Sequence, residues 1–109
     1  MTPAVLSVPE RLGTRDQVRD WLSGVPQDLS AAIVQVDCAA LAVGTPSFVD
    51  ELIKIVITER HAAELHLVNA SERTQVNALR SAGNRRVADR VQVTVKEAPS
   101  GFLRRLRRS

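Results

Sequence analysis

An α/β fold, with a mixed central β-sheet packed against helices, is what this sequence predicts, and three observations carry the prediction. Short apolar runs at residues 4–8, 31–36, 65–68 and 91–95 alternate with segments whose apolar residues recur at helical spacing. Each helical segment opens on a capping residue and a helix-favouring first turn. The 109 residues suit one domain, and a hydrophobic content of 44% supplies a core for it. Alternation of this kind leads to a mixed or parallel sheet with helices against it.

The first run, residues 4–8, is rich in Val and Leu and lies between Pro3 and Pro9, which suits an edge strand. Thr14 with Gln17 three residues on makes a capping box, and Val18, Trp21, Leu22 and Val25 follow on one helical face. Gly24 and Pro26 end that helix. Residues 31–36 form an almost unbroken apolar run that leads into Asp37, the pattern of a central strand covered on both faces. Beyond a loop at 38–44, Thr45 or Ser47 offers a hydroxyl cap, Pro46 suits the first helical position, and Asp50 and Glu51 read as first-turn acids facing the helix dipole. Val49, Leu52, Ile53, Val56 and Ile57 keep helical spacing. The β-branched stretch 53–58 would also suit a strand, but the strong start favours a helix. After the strand at 65–68, Asn69 or Ser71 caps a helix that carries Val76 and Leu79 and closes at Gly83. Val91, Val93 and Val95 alternate in a last strand.

The formal charge of +3 belongs to the end of the chain. Residues 1–98 hold eleven Lys and Arg against twelve Asp and Glu, whereas Arg104, Arg105, Arg107 and Arg108 stand without an acid. Two parts follow: a nearly neutral domain at 1–98 and a basic tail at 99–109. If the tail is helical, Phe102, Leu103 and Leu106 share one side, a pattern suited to nucleic acid or an anionic membrane. Three aromatic residues supply no stacking platform for single-stranded nucleic acid. No apolar run reaches the ~20 residues that cross a bilayer, and the amino terminus lacks the pattern of a secretory signal. A cytoplasmic location is expected.

The sequence is poor in catalytic signals. His61 and His66 stand outside any zinc pattern, the glycines are isolated, and no elbow frames a serine nucleophile. Cys38, the single cysteine, follows a buried strand and reads as an inert small residue. Asp50 and Glu51 are adjacent on a helix and point about 100° apart, so they do not form a catalytic pair. The expectation is a protein that is not an enzyme, with no cofactor, no metal and no small-molecule substrate. Ser47 is the informative residue. It lies in the first turn of a helix beyond a central strand, where free backbone N–H groups favour an anion, so it is a candidate to bind or carry phosphate.

The strand ending at Val36 and Asp37, the run from Thr45 through Pro46, Ser47, Phe48, Asp50, Glu51 and Leu52, and the later Leu65 to Ser71 with Val76, Leu79 and Gly83 together resemble a STAS domain. Leu12, Gly13, Thr14 and Arg15 bring the likeness closer to the STAS-like family of unknown function, and it covers residues 5 to 95. The resemblance implies a bacterial regulatory module related to anti-sigma factor antagonists. In those proteins the loop after the central strand reads Asp-Ser-Ser-Gly, and its second serine is phosphorylated by a kinase that is also the anti-sigma factor. Thr45 stands in the place of the aspartate, Pro46 of the first serine, Ser47 of the phosphorylated serine and Phe48 of the glycine.

The implied function is docking of a protein partner, an anti-sigma-factor-like kinase or another regulator, through Thr45, Pro46, Ser47, Phe48 and Asp50. Phosphate on Ser47 would then act by adding bulk and like charge beside Asp50 and Glu51. The alternative reading is an adaptor that meets nucleic acid or an anionic membrane through Arg104, Arg105, Arg107 and Arg108.

Overall fold

The computed structural model describes residues 3–9, 12–41 and 44–96. Four strands, β1 (Pro3–Ser7), β2 (Ile33–Asp37), β3 (Glu64–Ala70) and β4 (Val91–Val95), pair in the order β1-β2-β3-β4 and are all parallel. Parallel neighbours need long crossovers, and each crossover here carries a helix. These are α1 (Arg15–Trp21), α2 (Pro46–Ile53) and α3 (Glu72–Asn84). The α/β architecture read from the alternation is the one observed, with β1, which opens on Pro3, at an edge as the prolines suggest.

The register aligns Leu6, Val36, Leu67 and Val93 in one row and Val5, Gln35, His66 and Gln92 in the next. Val34, Val36, Leu65 and Leu67 are fully buried, whereas Ile33, Gln35, Asp37 and His66 on the other face are only half-buried. Among the described residues the run at 31–36 is therefore central but covered on one face, not two. The reason is topological. Crossovers of one hand that advance in one direction across a sheet all land on the same side, and α2 packs against both α1 and α3 in a single layer.

Thr14 caps α1 through the full box: its hydroxyl accepts from the Gln17 N–H, and the Gln17 side chain accepts from the Thr14 N–H. A 3₁₀ turn at Leu22–Gly24 follows. Thr45 rather than Ser47 caps α2; its Oγ1 accepts from the Phe48 N–H at 3.1 Å and donates to the Gly13 carbonyl at 3.2 Å. Beyond Ile53 the helix continues as a wider π turn over Lys54–Glu59, so the β-branched stretch is wound, as its helix reading held. The Arg60 N–H reaches back five residues to the Ile55 carbonyl. A wider turn rotates each successive residue by less, which lets the three neighbours Ile55, Val56 and Ile57 all face the core.

At α3 one of the two expected caps is the one used, and two other expectations are corrected. Its cap is Ser71, whose Oγ accepts from the Thr74 N–H; Asn69 instead lies in the left-handed region (φ 56°), at an irregularity between Leu67 and Ala70 of β3. The helix does not close at Gly83. It runs to Asn84, and the left-handed residue is Arg86 (φ 60°), where the Val87 N–H meets the Ala82 carbonyl and the Arg86 N–H meets the Gly83 carbonyl. The buried face is also not the one that large apolar residues suggest. Thr74, Ala78, Ser81 and Ala82 face inward, and Val76 and Leu79 face out, 52% and 47% exposed. Small side chains let α3 lie close to its neighbours, and that close approach turns the bulky pair to solvent.

Candidate functional site

Ser47 is the second residue of α2, half-buried, and its hydroxyl bonds to no described residue. It opens into a cavity of about 320 Å³ between α2 and α3, lined also by Arg15, Pro46, Asp50, Asn77, Arg80 and Asn84. Asn77, Arg80 and Asn84 come from one side of α3, at the spacing that stacks residues on a helix face. Arg15 arrives from the first turn of α1, which the Thr14 box holds in place. Three helices thus meet around one serine.

The charges in this cavity are ordered by ion pairs. Arg85 clasps the Asp50 carboxylate with two parallel bonds, Nε to Oδ1 and Nη2 to Oδ2, both 2.8 Å. Ser81 Oγ donates to Oδ1 at 2.7 Å, and Arg15 Nη1 donates to Oδ2 at 2.8 Å. The Arg85 contact, helped by Ser81 and Arg15 and opposed by partial burial, holds the Asp50 carboxyl well below the usual range. Glu51 is only 3% exposed. Burial pushes its carboxyl up, but Arg19 at 2.7 Å and Arg15 at 3.1 Å outweigh that and leave it lowered. Arg19 also holds Glu59.

Set against the sequence expectations, the five proposed docking residues divide. Pro46 and Ser47 line the cavity. Thr45 is spent on capping and on Gly13. Phe48 is fully buried in the core, so it is not a surface contact. Asp50 lines the cavity, but its oxygens are already occupied by Arg85, Ser81 and Arg15. Asp50 and Glu51 also lie beyond the first turn, so arginines of α1 and α3, not the helix dipole, explain them. A phosphate on Ser47 would consequently meet neutralised carboxylates, not bare ones. Arg104, Arg105, Arg107 and Arg108 lie outside the described residues.

Elsewhere polar groups bond to one another. The Asn69 amide donates to Asp37 Oδ1 at 3.1 Å, and this bond together with the Ala39 N–H lowers the Asp37 carboxyl. That pair sits at the carboxyl edge of the sheet and does not line the Ser47 cavity. His66 contacts Glu64 at 3.1 Å on the open sheet face. Cys38 is buried, and desolvation, with the Asp37 charge adding to it, pushes its thiol up to about 11, which leaves it protonated and unreactive at neutral pH. Among the described residues no group of three His, Cys, Asp or Glu side chains could hold a metal, and no helix is long and apolar enough to cross a membrane.

Sequence reasoning missed Arg15, Asn77, Arg80 and Asn84. The last three carried a legible signal, a polar stripe at i, i+3 and i+7 on a helix that already had a cap. Comparison with family models, curated proteins and solved structures finds no match to this chain.

Proposed function

We propose that this chain is a non-catalytic, cytoplasmic regulatory module of the bacterial STAS-like kind, which docks a protein partner across the groove between α2 and α3 and is switched by phosphorylation of Ser47. One observation carries the reading. The Ser47 hydroxyl is unbonded to any described residue and stands at an open polar cavity beside two arginines, Arg15 and Arg80. Arg80 forms no ion pair with a described carboxylate, so it is placed to meet added negative charge.

A phosphate brings nearly two negative charges and three strong acceptors at neutral pH. On Ser47 it would fill the cavity and draw Arg80 inward, removing from the surface both the recess and the cation that a partner meets. Binding and release then follow the state of one hydroxyl.

The test is a pull-down from a bacterial lysate followed by affinity measurement on the captured partner. Ser47→Ala should bind as the wild type does. Ser47→Asp should bind at least about tenfold more weakly, a difference of ~1.4 kcal/mol. Equal binding by all three forms would remove position 47 from the function.

A further inference from the structure

We infer that the outward face of α3 is a docking surface for an acidic amphipathic helix of a protein partner. The inference rests on the reading of this chain as a docking module and names the chemistry of what docks.

The first observation is the inversion of α3. Among the described residues the exposed large hydrophobic side chains are Val5, Val76 and Leu79, and two of the three sit one helical turn apart on this helix. Scattered apolar residues on a surface need no explanation, but an adjacent pair beside a recess is a contact in wait. That recess, about 450 Å³, is lined by Glu72, Arg73, Val76, Asn77 and Arg80. It shares Asn77 and Arg80 with the Ser47 cavity, so the two form one continuous surface along the helix.

The second observation is charge. Elsewhere in the helix layer arginines are matched: Arg15, Arg19 and Arg85 pair with Asp50, Glu51 and Glu59. Arg73, Arg80 and Arg86 are exposed and pair with no described carboxylate, while α3 itself holds one acid, Glu72. An apolar pair rimmed by unmatched arginines calls for a partner with apolar anchors and flanking carboxylates. A helix supplies both at i, i+3, i+4 and i+7 spacing. At 1.5 Å per residue, the 13 residues of α3 span roughly 20 Å, the length of about four turns. Nucleic acid would meet the arginines but leaves Val76 and Leu79 without an apolar counterpart. A bilayer surface would meet both but does not enter a recess shaped for side chains.

The probe is a fluorescently labelled helical peptide of roughly four turns, with leucines at i, i+3 and i+7 and glutamates around them. Its copy with every glutamate replaced by lysine is the control. Anisotropy titration with the full chain at low salt should give saturable binding for the acidic peptide and none for the basic one. Raising the salt from roughly 50 to 200 mM should weaken binding several-fold. Arg73→Glu with Arg80→Glu, and separately Val76→Ser with Leu79→Ser, should each weaken it tenfold or more; all four positions are exposed, and circular dichroism should show an unchanged fold.

The inference is overturned if the acidic peptide fails to bind, if the two peptides bind alike, or if charge reversal at 73 and 80 changes nothing. It is equally overturned if phosphatidylserine vesicles, and not the peptide, bind in a way that needs Val76 and Leu79. The two readings fail separately. Loss of the Ser47 switch leaves peptide binding by the wild type intact, whereas failure of this surface abolishes peptide binding whatever residue stands at 47.

Discussion

Gly44 closes the gap between the loop before α2 and the first turn of α3. Its N–H donates to Thr74 Oγ1 at 2.7 Å, and its carbonyl accepts from Asn77 Nδ2 at 2.9 Å. A Cβ there would lie 2.8 Å from Thr74 Cγ2 and 3.2 Å from the Phe48 ring. Thr74 is buried and already bonded to Ser71, so it has little room to yield. Gly44→Ala should therefore cost about 1–3 kcal/mol of stability, read as a lower urea midpoint. Adding Thr74→Ser, which removes the obstructing methyl, should restore part of the loss. The same contacts show why Ser47 stands free. Thr45 takes the capping role and Thr74 takes the loop, so neither duty falls on the serine.

At the scale of elements, one buried arginine ties the end of the π turn to the 3₁₀ turn after α1. Arg60 is 7% exposed, and its Nη1 donates to the Leu22 carbonyl at 2.8 Å and the Val25 carbonyl at 2.9 Å. It thereby satisfies the end of the 3₁₀ turn after α1, while its own carbonyl accepts from the Leu29 N–H. Replacing it with methionine keeps an apolar stem but leaves the Val25 carbonyl without a described donor and the Leu22 carbonyl with the Val25 N–H alone. Arg60→Met should lower stability by about 1–3 kcal/mol, visible as a clear drop in Tm. A sequence reading foresees none of this, because the arginine and its acceptors are more than 30 residues apart. The start of each helix, by contrast, was legible, since a cap and the N–H it serves are three residues apart.

Across the whole molecule, the helix layer is fastened by one network that runs Arg85–Asp50–Arg15–Glu51–Arg19–Glu59. Asp50, Glu51 and Glu59 all titrate below their ordinary values in the folded state. A carboxyl lowered by folding contributes stability that is fully present above its unfolded value, about 4, and is lost as pH falls through that range toward the folded value. Urea unfolding should thus show stability steady from pH 7 to about 5 and falling steeply below ~4. Asp50→Asn should be less stable at neutral pH and lose less on acidification, because Asp50 is the most lowered of the three. An acid limb of equal slope in both proteins would mean that the network does not hold the helices together. The sheet face opposite the helices carries Gln35, His66 and Gln92 beside Val5, a mixed surface where single polar exchanges have little to disturb.

By itself the sequence determined the order of elements, the edge position of β1, the box at Thr14, the cap and proline that open α2, and the alternation that sets His66 apart from Leu65 and Leu67. All of these follow from hydrogen bonds and periodicities that act within a few residues. Only the tertiary structure decided that α3 turns Val76 and Leu79 outward, that Phe48 goes to the core, that Asp50 belongs to Arg85 and Arg15, and that the described helices all lie on one side of the sheet. Each of those outcomes depends on the space left between elements that meet only once the chain has closed, where the volume of a side chain outweighs its hydropathy.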